Sequence, residues 1–301
     1  MQTDILEQYK SISSRLKRRF LRKPNVADAS NSFSSLAQQC EHLELQPYAG
    51  LCWIAAARCE GSLGNVPGEL SHLVRSARNF LSAELKNSKL GCPSSSNENL
   101  QAAISSYAHT NSKYPESSLL GVGLNLEIVQ SLNELNFTDS KDIYLQNALE
   151  LSQNCLDSRT LCLLLTAENC AEKGEYIEAL NTFTEISNLL ENSPRNGYRK
   201  DILLKCEINR IIILLILRPT PNKLAADSAK LLEKYIWADK IGENLKNYGM
   251  SEDLFLLLQS LVLTCQSLET NNLVYLEGDL WKYFDKFQKE LLRTLVQVYC
   301  H

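Results

Sequence analysis

Apolar residues recur along this chain at helical spacing almost from end to end, so that nearly every segment has one side fit for burial. The pattern predicts a first helix over 4–21, closed before Pro24 because the residue ahead of a proline is driven out of the α region. A second helix over 26–43 carries Phe33, Leu36, Ala37 and Cys40 on one stripe, and Pro47 opens a third that runs to about 63. The turn from Gly64 to Pro67 leads into a helix ending near Lys86, with Pro67 suited to its first turn. Residues 87–99, NSKLGCPSSSNEN, read as a loop. Helices follow near 100–111, 116–135, 139–154, 158–173 and 175–191, with a second loop at 192–198. The last helices lie near 200–217, 222–238, 251–268, 273–285 and 286–299. About fourteen helices with mostly short connections predict an all-α, tetratricopeptide-like α-solenoid of antiparallel hairpins, a single domain over 1–301.

One hairpin has the lettering of a known repeat. In the stretch 162–190, Ala167, Cys170, Gly174, Tyr176, Ala179 and Phe183 match the small, medium, turn and aromatic positions of the tetratricopeptide pattern. Ala167 and Ala179 let two helices approach, Gly174 permits the tight turn, and Phe183 is placed to fill the groove against the next pair. The segment around Ala56, Cys59, Ala77 and Leu81 matches more loosely, so the array is degenerate rather than a regular tandem.

Two segments break the one-stripe rule. KCEINRIIILLILRP at 205–219 is apolar on nearly all sides from Ile211, and EDLFLLLQSLVLTC at 252–265 is similar. A helix that is apolar all round has to be covered all round. Either it is central in its own domain or a partner covers its outer face. Two such helices in a thin two-layer array predict a large protein interface, with Ile212, Leu215, Phe255, Leu257 and Trp281 as candidate contacts.

Composition narrows the function further. The 12 Gly and 8 Pro in 301 residues are few for a turn-rich β protein. The net charge of −4 gives no broad case for nucleic acid. The longest apolar run, Ile211–Leu217, is far short of the roughly 20 residues a membrane span needs, and the N-terminus has no signal-peptide core. The ten Cys form no Cys-x-x-Cys pair and mostly lie on apolar faces, as reduced thiols of a cytosolic or nuclear protein would. With four scattered His, no metal site is expected. No nucleotide, hydrolase or kinase signature is present, and Gly121 and Gly123 read as small packing residues of a helix. No catalytic residue, cofactor or enzymatic activity is therefore expected. The basic run Lys17, Arg18, Arg19, Arg22 and Lys23 ends the first helix, where cations oppose the helix dipole by about 0.3–1 kcal/mol each. An acidic patch on a partner, nuclear import and an anionic membrane surface are the alternatives for it.

RLKRRFLRKPNVADA at 15–29, KCEINRIIILLILRP at 205–219, LLEKYIWA at 231–238 and EDLFLLLQSLVLTC at 252–265 resemble, in the same order, the forty-kilodalton huntingtin-associated proteins, also known as the factor VIII intron 22 protein family. PYAGLCWIAAARCE at 47–60 and the hairpin at 162–190 add to the resemblance. Compared with the vertebrate form, a Gly/Ala-rich leader and a Pro-rich insertion near Ser193–Lys200 are missing and the tail is shorter, which points to an invertebrate ortholog. The resemblance implies a one-to-one complex with huntingtin, the chain lying between huntingtin's helical-repeat domains through largely hydrophobic contacts. It also implies an alternative role as an early-endosome trafficking adaptor or small-GTPase effector. A cytoplasmic location, with nuclear and early-endosomal pools, goes with these expectations.

Overall fold

The computed structural model of the chain describes residues 4–16, 25–92, 96–115, 118–137, 140–191, 193–194, 197–220, 224–236 and 249–300. Among these residues there are fourteen helices and no strand. Chain contacts divide them into two compact units, 1–154 and 155–301. The first unit holds α1 (Ile5–Leu16), α2 (Val26–His42), α3 (Gln46–Ser62), α4 (Val66–Lys89), α5 (Glu98–Asn111), α6 (Leu119–Glu134) and α7 (Lys141–Leu151). The second holds α8 (Leu156–Glu172), α9 (Tyr176–Glu191), α10 (Tyr198–Leu217), α11 (Ala226–Ile236), α12 (Glu252–Ser267), α13 (Thr270–Leu280) and α14 (Lys286–Cys300). Within each unit, consecutive helices pack on one another as hairpins, the helical-repeat architecture expected from the spacing of apolar residues.

Capping chemistry sets many of the boundaries. Asn25, Asn65 and Ser251 each accept a backbone N–H of the following helix through the side chain. Several boundaries differ from the expectation: α6 begins at Leu119 rather than 116, α7 ends at Leu151 rather than 154 and α13 begins at Thr270 rather than 273, and two further differences have a visible cause. Helix α4 continues through Lys89, because the left-handed glycine that stops it is Gly91, at φ +71°. Helix α13 ends at Leu280 rather than near 285, because Asp285 and Gln288 form a reciprocal capping box that starts α14. The Asp285 carboxylate accepts the Gln288 N–H at 2.9 Å, and the Gln288 side chain accepts the Asp285 N–H at 3.2 Å.

In the first unit, α3 is the central layer, packed on α2 and α4. It buries Ala49, Gly50, Cys52, Ala55, Ala56, Ala57 and Cys59, with Trp53 as the one large side chain among them. Small residues on several sides let both neighbours come close; a Cβ on Gly50 would meet the Phe80 ring of α4 at 2.8 Å. The repeat-like hairpin of the second unit forms as its letters require. Ala167 and Ala179 are fully buried, Gly174 turns at φ +82°, and Phe183 is fully buried against Phe287 of α14, ring centroids 6.5 Å apart.

Candidate protein-binding surfaces

The residues singled out in the sequence fall into three groups. Ile212 and Phe255 are 0% exposed and Leu215 is 5% exposed, all within the core of the second unit. Helix α10 is covered by α9 and α14, with further contacts to α11 and α12, so its apolar run needs no outside partner. The expectation that this helix offers Ile212 and Leu215 to another protein is thus corrected, and so is the role of Phe255, which stacks on Tyr235 at 5.0 Å. The physical reason is coordination number: four helices of the same unit pack on α10 and α8 reaches it through Glu168, more than a simple two-layer stack provides. Leu257 is half-buried, and Trp281 is 37% exposed. Lys17, Arg18, Arg19, Arg22 and Lys23 lie outside the described residues.

The charges that go inward do so in pairs. Lys205 on α10 forms ion pairs with Glu168 of α8 at 2.7 Å and with Asp285 at 2.9 Å, tying three elements together. Burial pushes the Glu168 carboxyl up, against the pull of Lys205. Glu207, also on α10, accepts from Lys234 and from the Tyr235 hydroxyl, each at 2.6 Å, and fixes α11 in place. Asn209 is fully buried and neither side-chain atom meets a hydrogen-bond partner among the described residues. In the first unit, Lys113 and His109 (3.2 Å) converge on Glu69, and the Lys113 ammonium, ahead of His109, holds that carboxyl below its usual range. Each of these ion pairs and hydrogen bonds joins one helical element to another.

The thiols follow the same rule. None of the ten Cys is joined in a disulfide. Burial pushes Cys52 and Cys206 up to about 12, which leaves them protonated and unreactive. Among the described residues no group of His, Cys, Asp and Glu could hold a metal ion, and no helix is long and apolar enough to cross a membrane.

What the surface does carry is apolar area. In the first unit, Leu6, Leu43 and Tyr48 are exposed and, with Ile5 and Leu45, line a groove of about 370 Å³. A second groove of about 660 Å³ between α4 and α6 is lined by Leu81, Leu85 and Leu90 as well as by charged residues, and is bridged by the Arg78–Glu127 ion pair at 2.8 Å. In the second unit, Leu256, Leu263, Leu268, Val274, Tyr275 and Trp281 are all exposed within two consecutive helices and their ends. Val274 and Tyr275 were not among the expected contacts, although the sequence held the signal. Leu273, Leu276 and Leu280 form the inward stripe of α13, and Val274 and Tyr275 lie off it.

Stacked helical hairpins, with charged groups joining helix to helix and apolar side chains left on the outside, define an all-α helical-repeat protein. Comparison with known proteins identifies the family. No family profile matches the chain. The 40-kDa huntingtin-associated protein of mouse is 31% identical over 354 aligned residues, which cover 98% of this chain and 92% of the mouse protein. The rat protein of the same name is 30% identical with the same coverage. This chain belongs to the family of 40-kDa huntingtin-associated proteins.

Proposed function

We propose that this chain is a non-enzymatic binding subunit of a huntingtin complex, one chain per huntingtin, enclosed between that partner's helical-repeat domains. The observation that carries the reading is the similarity to proteins named for huntingtin association, which runs through 98% of the chain and so includes both units. The exposed apolar side chains support it, because area of this kind is stabilised by a partner that removes it from water. An early-endosomal small GTPase would reach the chain through that complex, and its place would be the cytoplasm.

Co-expression with huntingtin and size-exclusion chromatography with light scattering test this. The expected result is co-elution at one-to-one stoichiometry and a higher unfolding temperature for the chain in the complex than alone. Separate elution of the two proteins, with the chain monodisperse and unchanged in stability, overturns it.

A further inference from the structure

We propose that the groove between α4 and α6 is a docking site for an extended segment of a protein partner, one that presents carboxylates to α4 and ammonium or guanidinium groups to α6. The two walls are of opposite sign. Between Val74 and Leu90 the exposed charges of α4 are Arg75, Arg78, Lys86 and Lys89, all cationic. The one carboxylate of that stretch, Glu84, is 2% exposed and accepts from Asn99 at 3.2 Å. Helix α6 holds Glu127 and Glu134 and contains no Lys or Arg. The groove sets these charges on facing walls, with Arg78, Lys86 and Lys89 on one and Glu127 and Glu134 on the other.

These charges are not all spent on one another. Arg78 and Glu127 are joined by two hydrogen bonds, at 2.8 and 3.1 Å. Lys86 pairs with Glu44 at 2.5 Å, but the two side chains are 48% and 73% exposed, so an incoming carboxylate competes for that cation on near-equal terms. Farther along, Lys89 on α4 and Glu134 on α6 form no ion pair among the described residues. A groove charged in this way does not choose a partner by net charge. A segment of one sign gains at one wall what it loses at the other, whereas a segment with its charges separated in the matching order gains at both.

The polar lining sets the backbone of the occupant. The carboxamides of Gln46 and Gln130 and the Ser82 hydroxyl line the groove, and their side chains make no hydrogen bond among the described residues. A helix has its own N–H and C=O groups paired already. An extended chain carries unpaired main-chain donors and acceptors, which a carboxamide, itself both donor and acceptor, can meet. The dimensions agree with this. Arg78 and Lys89 stand three turns apart on α4, about 16 Å along its axis, which an extended chain at about 3.3 Å per residue covers in about five residues. Successive side chains of such a chain point to opposite sides, so alternating acidic and basic residues meet α4 and α6 in turn. Leu81, Leu85 and Leu90, the last of them 70% exposed, give the aliphatic stems of these side chains apolar ground to lie on.

The groove lies wholly in the first unit and its test uses no huntingtin, so it stands or falls apart from the huntingtin reading. The full chain is screened against an array of blocked peptides, about five residues long by the spacing above, built from Glu, Lys, Leu and Ser in every order. The tightest binder is then titrated by fluorescence polarisation beside a leucine-striped amphipathic helical peptide. Circular dichroism melting verifies that substituted chains keep their helices. The expected binder alternates Glu and Lys. Lys89→Glu and Glu134→Lys should each weaken it by at least about tenfold. Gln130→Leu should weaken it by about two- to tenfold, the loss of one hydrogen bond. The doubly exchanged chain, Lys89→Glu/Glu134→Lys, should recover the lost affinity toward the peptide in which Glu and Lys are interchanged, a rescue that a merely structural role for these residues would not give. Binders that are uniformly acidic or uniformly basic, single exchanges without effect, an exchanged chain that does not recover, or no binder at all each overturn the proposal. Preference for the helical peptide over the alternating one overturns it as well.

Discussion

Helices α3 and α10 are both buried on several sides, yet they are built oppositely. Helix α3 is lined by Ala, Gly and Cys, so its neighbours close in on its backbone. Helix α10 buries the bulky run Ile211–Ile216 along with Glu207 and Asn209, and is kept at side-chain distance by four neighbours. The electrostatics differ in the same way. The first unit holds Glu69 ionised against Lys113 and His109 near its surface, while the second desolvates Glu168 in the company of Lys205. A multiply covered helix can therefore be made either by shrinking its side chains or by adding helices around it. In the second case the charged groups on it, Lys205 and Glu207, bring their partners inside with them, while Asn209 meets none among the described residues.

The largest test of this contrast is at Ile212. Removing most of its side chain with Ile212→Ala should cost about 2–5 kcal/mol, because four surrounding helices cannot collapse onto the void. Ile212→Asp should abolish packing of the second unit outright. Limited proteolysis would then cut within 155–301 and leave 25–154 protected; protection of both units in Ile212→Asp would mean that α10 has an uncovered face after all.

On the α3 side the sensitive change is the reverse one, an added atom. Gly50→Ala drives a methyl into the Phe80 ring and should destabilise the first unit by about 1–3 kcal/mol, read from its thermal transition. Lys205→Met should cost a similar amount, about 1–3 kcal/mol, since it leaves Glu168 and Asp285 without their shared cation. Adding Glu168→Gln should recover part of that loss, and a double-mutant cycle measures how much.

The smallest effect is in pH, and its sign separates the two carboxylates. The Glu69 carboxyl is lowered in the fold, so its contribution is present above the ordinary Glu range and is lost as pH falls through its folded value. Glu69→Gln should then be less stable than the unaltered chain at neutral pH and should converge with it in acid. The Glu168 carboxyl is raised, so its effect runs the other way: the protonated form suits the fold, and stability is lost as pH rises through the folded value. Glu168→Gln in the Lys205→Met background should therefore gain most at neutral pH and least in acid. Unfolding curves across this range that keep all four chains parallel would remove the distinction.

How much of this was legible in advance differs from residue to residue. The helical hairpins were, because the spacing of Leu, Ala and Cys sets which side of each helix turns inward. Ala167, Gly174, Ala179 and Phe183 took the positions their letters imply. The end of α13 was less legible, because the capping box of Asp285 and Gln288 competes with a helical pattern that continues past it. The candidate contacts were least legible. Hydrophobicity marked Ile212, Leu215 and Phe255, but the same property that makes a side chain attractive to a partner makes it attractive to its own core. Val274 and Tyr275, off the stripe of a helix that buries little, were passed over.

The sequence by itself determined the fold class, the membership of a family and the absence of the familiar catalytic motifs, because periodicity, turn residues and collinear similarity are local properties that survive without coordinates. Only the tertiary structure decided which apolar faces are spent internally. The number of helices around α10, and the exposure left on α12 and α13, depend on contacts between residues far apart in the chain, and no spacing rule along one helix counts its neighbours.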